Sequence, residues 1–356
     1  MILFLFAVIL LAIFFQYSAQ RRELKGLEAS LSFSEALVEP DARFEIRVHL
    51  VNYSRAVFPF LRVSVHLPEE IIVEAPSGQL KPDGRGGQYL SVSAWLMPRQ
   101  RLTRSLPVSI GRRGRFLTRE MTVYCGDFLG LSEQGHSFSL FQEVVVMPRP
   151  APRQDVEQVA GGPVGDISVN RFLFEDPVLT VGYRDYTGRE PMKMLSWTQI
   201  ARTGKLMVKQ YDYTLETSVT VILNVECASA QAWTWTESAY SIARTVCEQL
   251  EEMGIQYSFR TNAVTAGDFS SWQSVGEGLG AHHLAHILEG LGRGLDQAAF
   301  SCETLLERTV RSCDSTRGLL FITPENDPQV LNLAARWADR AGVTLWTATG
   351  QEEPLC

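Results

Sequence analysis

Apolar and polar residues alternate along much of the first half of the chain. Every second residue is apolar at 44–50, and the same alternation returns at 61–67. A period of two residues is typical of strands that bury one face. Turn-forming stretches such as 81–87 separate further runs at 89–96, 102–110, 116–124 and 141–147. Several short strands at this spacing predict an antiparallel β-sandwich over residues 24–150.

The period changes after a proline-rich boundary at 147–152. Proline has no N–H to donate to a sheet, so the strand series ends there, and residues 151–180 are predicted to be a linker. Beyond it, strand-like runs at 219–225, 257–261, 318–322 and 343–347 alternate with helical spacing at 233–253, 281–291, 302–313 and 328–341. This alternation predicts a doubly wound parallel α/β domain within residues 181–356.

The first 19 residues have a different character. Residues 1–15 are uninterruptedly apolar, and 1–19 is just long enough to span a bilayer. Arg21, Arg22 and Lys25 follow, which by the positive-inside rule keeps the rest of the chain on the cytoplasmic side. We therefore expect a transmembrane anchor over 1–19 and a single-pass cell-membrane protein with a cytoplasmic bulk. A cleaved signal peptide and a peripheral helix are the alternatives.

Composition and charge narrow the classes of partner. The 356 residues carry a net charge of −7, which argues against nucleic acid as the main partner, because phosphate binding requires a basic face. The six cysteines are scattered and form no CxxC pair. Such cysteines are typical of free thiols in a reducing compartment rather than of a zinc site or a disulfide framework.

Residues 182–213 combine basic and aromatic side chains most densely. Three interpretations are open: a structural role with Trp197 in the core, a protein interface, or a site for an anionic ligand. The acidic total charge disfavours the third. The residues that we single out are Arg184, Tyr186, Lys193, Trp197, Ala201 and Arg202.

Other candidate motifs are weaker. His282 and His286 share a helical face and could chelate a metal, although an amphipathic helix explains them equally well. The glycine-rich stretch 276–280 lacks the residues that follow a phosphate-binding loop. Arg112, Arg113 and Arg115 could contact an anionic lipid or polyanion, but a solvated turn is the simpler interpretation. No catalytic motif is evident, and we expect a protein that is not an enzyme.

The dense segment resembles the hallmark of a bacterial family called domain of unknown function 58. The resemblance is carried by Arg184-x-Tyr186, Lys193, Leu195, Trp197 and the run 201–206. The apolar N-terminus, the β-rich segment and the strand at 144–149 are similar as well. Ser196, Glu190 and Arg189 depart from the hallmark, because they stand where the family has Asp, Asp and Gly.

The resemblance implies a von Willebrand factor A-like domain after the hallmark. Members of the family are commonly encoded beside a MoxR-type AAA+ ATPase and a membrane transglutaminase-like protein. The resemblance therefore implies that this chain is an adaptor that binds such partners in the assembly or maturation of other proteins.

The metal site of A-like domains is expected to be degenerate here. Where the family has Asp-x-Ser-x-Ser, this chain has the run 224–228, and a proline follows the later strand. Mg²⁺ prefers several hard oxygen ligands that include carboxylates, and only one carboxylate is present. The positions concerned are Asn224, Glu226, Ala228, Thr323 and Pro324.

These observations favour a membrane-anchored protein-interaction module that uses no cofactor and binds no nucleic acid. A metal-dependent adhesion-type or hydrolytic domain with Mg²⁺ or Mn²⁺ is the alternative. Binding to an anionic lipid or polyanion is a second alternative.

Overall fold

A computed structural model describes most of the chain after residue 25. The described residues are 26–74, 76, 78–84, 86–126, 133–151, 174–186, 195–214, 218–227, 232–312, 318–341 and 345–349. The predicted anchor, 1–19, lies outside this range, as do most of the predicted linker, Lys193 and Ala228.

The chain divides into two units. The first comprises residues 1–149 together with 265–269 and 288–294, and the second comprises 150–264, 270–287 and 295–356.

Two sheets build the first unit. One has the strand order β1 (Leu27–Phe33), β3 (Phe44–Asn52), β8 (Arg101–Ile110) and β5 (Ile71–Val73). The other has the order β2 (Leu37–Val38), β10 (Glu133–Val146), β9 (Gly114–Gly126), β4 (Phe58–Pro68), β7 (Gly87–Leu96) and β6 (Leu80–Pro82). All neighbours are antiparallel except β2 and β10.

A single apolar core joins these two sheets. Ile46 and Val48 of the first sheet and Val63 and Val65 of the second are each at most 1% exposed and belong to one cluster. Their polar neighbours along β3 and β4 point the other way. Because one face of each strand is apolar and the other is polar, the sheets stack with their apolar faces together. The predicted β-sandwich is confirmed.

The second unit contains an antiparallel ribbon and a mixed sheet. The ribbon pairs β11 (Phe174–Asp185) with β12 (Met207–Thr214). The sheet has the order β16 (Ser274–Gly278), β14 (Gln256–Thr261), β13 (Ser218–Leu223), β18 (Gly318–Thr323) and β19 (Leu345–Thr349). The last four strands are parallel, whereas β16 is antiparallel to β14. Two further short strands, β15 (Ala263–Thr265) and β17 (Gly294–Ala298), pair with each other.

Five α-helices occur within the described residues. They are α1 (Trp197–Thr203), α2 (Ala232–Glu252), α3 (Ala281–Arg293), α4 (Cys302–Ser312) and α5 (Pro328–Ala341). The last four were predicted from the 3.6-residue period, whereas α1 was not. Apolar side chains of α4 and α5 pack with Ile222 and Phe321 of the mixed sheet. Gly254, whose φ of 69° is left-handed, follows the end of α2.

The predicted fold class is nevertheless wrong as a whole. It combined a transmembrane helix, a β-sandwich and a doubly wound A-like domain. The described chain is mostly β, and its second unit carries a separate ribbon and an antiparallel edge strand in place of the all-parallel sheet that we expected. Alternating strand and helix patterns indicate parallel strands, but they do not determine how a sheet ends at its edges.

The predicted single-pass membrane location is also contradicted. Within the described residues, no helix combines the length and the apolar character needed to cross a bilayer. The longest, α2, has 21 residues, but polar and charged residues interrupt its apolar stripe.

An ion cluster lies within the first unit. Glu143 on β10 accepts hydrogen bonds from Arg115 Nε and from an Nη of Arg293, both at 2.6 Å. Arg293 is 9% exposed and also donates to Glu289 at 2.9 Å. The Arg293 guanidinium, together with Arg115, holds the pKa of Glu143 below its ordinary value. The ionised form of Glu143 therefore stabilises the folded state.

We predict that Glu143→Gln lowers the stability of the protein by about 1–3 kcal/mol at neutral pH, because it removes charge-assisted hydrogen bonds from little-exposed arginines. Since the pKa is lowered on folding, this contribution is present above the ordinary Glu pKa and is lost as the pH falls through the folded value. Urea unfolding of both proteins at neutral and acidic pH measures the difference.

Glu45→Gln is the matched control. Glu45 pairs with Arg47 at 3.0 Å, but both side chains are 45% exposed. We expect a change of less than about 0.5 kcal/mol. Two results would contradict the claim that ionised Glu143 stabilises the fold: equal effects of the two substitutions, or an effect of Glu143→Gln that persists at acidic pH.

Candidate functional site

The carboxyl ends of three neighbouring parallel strands meet at one edge of the mixed sheet. Asn224 follows β13, Asn262 follows β14, and Thr323 ends β18. Beside Asn224 and Thr323 lies a cavity of about 540 Å³, lined also by the first residues of α4 and α5. Ligands of α/β sheets usually bind at this edge, so the cavity lies where a ligand site is expected.

Asn224 uses its whole amide within the protein. Its Nδ2 donates to Thr323 Oγ1 at 3.2 Å and to the carbonyl of Glu226 at 3.3 Å. Its Oδ1 accepts from Glu226 N at 3.1 Å and from Asn262 Nδ2 at 2.8 Å. Asn224, Asn262 and Thr323 are at most 1% exposed. The amide is therefore committed to fixing the strand ends.

Asn262 completes this network, and the sequence analysis missed it. Its Oδ1 accepts from Val225 N at 2.9 Å, and its Nδ2 also donates to the carbonyl of Phe300 at 3.1 Å. It therefore joins the loop after β13 to the segment before α4. Its position directly after the predicted strand at 257–261 was the sequence feature that could have identified it.

Glu226 supplies the carboxylate of the predicted degenerate metal site. Its Oε2 accepts a hydrogen bond of 2.7 Å from Cys302 N, in the first turn of α4. The unpaired N–H groups of a helix N-terminus favour such a carboxylate. Glu226 thus caps a helix. Burial, with Glu226 and Glu303 nearby, raises the pKa of Cys302 to about 12, so its thiol stays protonated at neutral pH.

The rim of the cavity also carries three carboxylates, from Glu303, Glu325 and Asp327, and the guanidinium of Arg336. Asp327 Oδ1 accepts from Gln329 N at 2.8 Å, and the Cys227 thiol lies 3.6 Å from Glu325 Oε2. No group of three His, Cys, Asp or Glu side chains within the described ranges is arranged to hold a metal. Of the other predicted metal-site positions, Pro324 is buried, and Ala228 lies outside the described residues.

The hallmark residues belong to the second unit, and three of the six are exposed. Arg184 is a strand residue of β11 paired with Val208 of β12, and Tyr186 N donates to the carbonyl of Leu206 at 2.9 Å. Trp197, Ala201 and Arg202 are exposed on α1, and Trp197 is 64% exposed. The structural interpretation, which placed Trp197 in the core, is therefore wrong.

The two weaker motifs both involve α3. On this helix His282 is exposed and His286 is half-buried, and within the described residues neither belongs to a group of three potential metal ligands. The ring of His283, which follows His282, packs edge-on against Tyr257 and lies 3.0 Å from the carbonyl of Tyr257. The glycine-rich stretch 276–280 overlaps the edge strand β16. The stretch leads from β16 into α3, and Gly280 N donates to a carboxylate oxygen of Glu251.

The three arginines proposed for anionic lipids are largely engaged. Arg113 donates to the carbonyls of Leu291 and Gly294 at 2.8 and 2.5 Å. Arg115 is 15% exposed and pairs with Glu143. Arg112 remains 60% exposed. This arrangement weakens the case for a polyanion site at this turn.

Comparison with known proteins leaves the function open. No family model matches the chain, and no curated protein matches it. Several solved structures resemble about a third of the chain. One is a cohesin module from a Clostridium perfringens family 33 glycoside hydrolase, which is 12% identical to this chain. The match covers 34% of this chain and 96% of that chain, with a TM-score of 0.25.

Two others are comparable. A CARDB domain from Pyrococcus furiosus in complex with di-metal ions has 14% identity, covers 34% of this chain and 90% of that chain, and gives a TM-score of 0.21. A protein that catalyzes macrocyclization in alchivemycin A biosynthesis is 15% identical; the match covers 33% of this chain and 94% of that chain, with a TM-score of 0.23. Likeness at these scores carries no argument.

We predict that Glu226→Ala destabilises the protein by about 0.5–2 kcal/mol, because it removes the acceptor that caps α4. Glu226→Gln keeps an acceptor oxygen and should cost less. Glu303→Ala is the control, since Glu303 lies in the same first turn and its carboxylate contributes only through the helix dipole, about 0.3–1 kcal/mol. Urea unfolding measures all three.

The same urea unfolding experiment with about 10 mM Mg²⁺ tests whether the cavity binds a metal ion. An ion that binds only the folded state raises the urea concentration at which half of the protein is unfolded. We expect the wild-type midpoint to stay unchanged. A rise with Mg²⁺ that Glu226→Ala abolishes would show that the carboxylate is a metal ligand after all.

Proposed function

We propose that this chain is a protein-binding module that works with a MoxR-type AAA+ ATPase in the assembly or maturation of other proteins. The observation that carries the proposal is the exposure of Trp197 on α1, a helix that buries none of its seven residues. Tryptophan is enriched among the residues that dominate protein interfaces, and Trp197 is 64% exposed although it is a large apolar side chain.

Hydrogen bonds hold this exposed segment in a defined conformation. Ser196 N donates to the carbonyl of Met207 at 2.9 Å, just before α1 begins. Gly204 ends the helix with a left-handed φ of 69°, and its N–H bonds to the carbonyl of Ile200. Leu206, which follows, is 51% exposed. A surface fixed in advance loses less conformational entropy when a partner binds.

The charges of the segment specify the partner. Arg202 and Lys205 are exposed, and neither has an ion pair recorded within the described part of the chain. An acidic surface around an apolar pocket would complement them. The choice of an AAA+ ATPase rests on the resemblance of residues 184–206 to the hallmark of domain of unknown function 58.

The test is a binding measurement between the full chain and the MoxR-type ATPase encoded nearest to it, by calorimetry or biosensor. We expect Trp197→Ala to weaken binding by about tenfold or more, as truncation of an interface tryptophan commonly does. Arg202→Glu should weaken it as well, and the wild-type affinity should fall at about 0.5 M salt.

Matched controls exist in the first unit. Trp95 is 59% exposed, and Arg104 is exposed on β8. Trp95→Ala and Arg104→Glu should leave the affinity unchanged. Absence of binding by the wild type, or equal losses in the hallmark and control variants, would refute the proposal.

A further inference from the structure

Three rows of side chains cross the outer face of the six-stranded sandwich sheet. The middle row consists of hydroxyl residues. Ser64 on β4 is paired with Ser91 on β7 and with Thr122 on β9, and Thr122 is paired with Ser137 on β10. The neighbouring residues on these strands point into the core. Four hydroxyls on four adjacent strands therefore form one line across the sheet. We call it the hydroxyl row.

Tyrosines stand on both sides of the hydroxyl row. Two residues away in one direction, Tyr89 is paired with His66, and their rings lie 5.1 Å apart. Two residues away in the other direction, Tyr124 is paired with Arg62, whose guanidinium lies over the tyrosine ring at 5.2 Å. Small side chains between larger ones make a trough of about 440 Å³.

The contacts around Tyr124 fix its position. Its ring lies against Gly135, where an added Cβ would come within 3.1 Å of a ring carbon. Arg62, over the ring, is in turn ion-paired with Glu133. The opposite wall is held similarly, because His66 lies 2.8 Å from Asp83. Both aromatic walls are therefore supported by neighbouring strands.

The trough is close to electrically neutral. Arg62 is paired with Glu133, and Lys81 and Glu120 contribute one charge of each sign. The His66 ring lies 2.8 Å from the Asp83 carboxylate, so that this pair adds at most one negative charge.

The hydroxyls of Thr122 and Ser137 are hydrogen-bonded to each other at 3.1 Å. Those of Ser64 and Ser91 have no hydrogen-bond partner within the described residues. A hydroxyl donates one hydrogen bond and accepts others, so the floor can bind a ligand that itself carries both donors and acceptors.

We propose that this trough binds a neutral oligosaccharide. Sugar rings carry hydroxyls that both donate and accept hydrogen bonds at their edges, which the hydroxyl row can bind. Their apolar C–H faces can pack on the ring of Tyr89, which is 41% exposed. The charge balance disfavours a polyanion. A protein partner is disfavoured because the centre of the trough is lined by hydroxyls, whereas the centre of a protein interface is apolar.

The test is a calorimetric titration of the full chain with cellohexaose, chitohexaose and maltohexaose. We expect at least one of them to bind with a Kd of about 1 mM or tighter. Tyr89→Ala and Ser64→Leu, which respectively remove a wall and fill the floor, should each weaken that binding by about tenfold or more. Far-ultraviolet circular dichroism and urea midpoints verify that the variants are folded.

Two variants serve as controls. Tyr89→Phe keeps the ring and should retain most of the affinity, and Trp95→Ala removes an exposed aromatic residue of β7 that does not line the trough. Failure of all three hexasaccharides to bind would overturn the proposal. So would binding that is insensitive to Tyr89→Ala and Ser64→Leu. Loss of ATPase binding in these two variants, with no sugar bound, would instead identify a protein interface.

Discussion

Hydrogen-bond satisfaction at the ends of buried parallel strands determines what the second unit can do. Polar groups that leave a sheet inside a protein must find partners, and unpaired ones cost more than a paired group gains. Asn224 and Asn262 hydrogen-bond to each other, and Asn262 accepts from the backbone N–H of Val225 in the loop after β13. Asn224 also donates to the Thr323 hydroxyl. Glu226 does the same for the first turn of α4. The polar side chains at the strand ends, and the carboxylate of Glu226, are therefore occupied in maintaining the fold.

Exposed surfaces are then the natural place for function, and the two units offer different ones. The segment around Trp197 in the second unit combines an exposed tryptophan and leucine with the exposed positive charges of Arg202 and Lys205. The outer sheet face of the first unit combines tyrosines with a line of hydroxyls and little net charge. The first surface lies on a short helix whose start is hydrogen-bonded to β12, and the second lies on four paired strands. Both positions limit the ordering that recognition would require. Their chemistry differs enough that they should bind different partners.

Local patterns predicted the elements well, and long-range arrangement was where prediction failed. The alternation around Ile46 and Val63 indicated half-buried strands, because burial of one face imposes that period. The exposure of Trp197 was not predictable, since a tryptophan in a short helix is compatible with core or surface. The hydroxyl row was equally hidden, because it depends on which strands become neighbours, and Ser64 and Ser137 lie far apart in the chain. The expected doubly wound sheet failed for the same reason at its edges.

The central claim is that the segment around Trp197 binds another protein. Hydrogen–deuterium exchange of the full chain, alone and with the MoxR-type ATPase, tests it most directly, because protection reports where backbone amides become shielded. The account predicts slower exchange at residues 195–208 in the complex and unchanged exchange at 224–226. Unchanged exchange at 195–208 in a complex that demonstrably forms would contradict it.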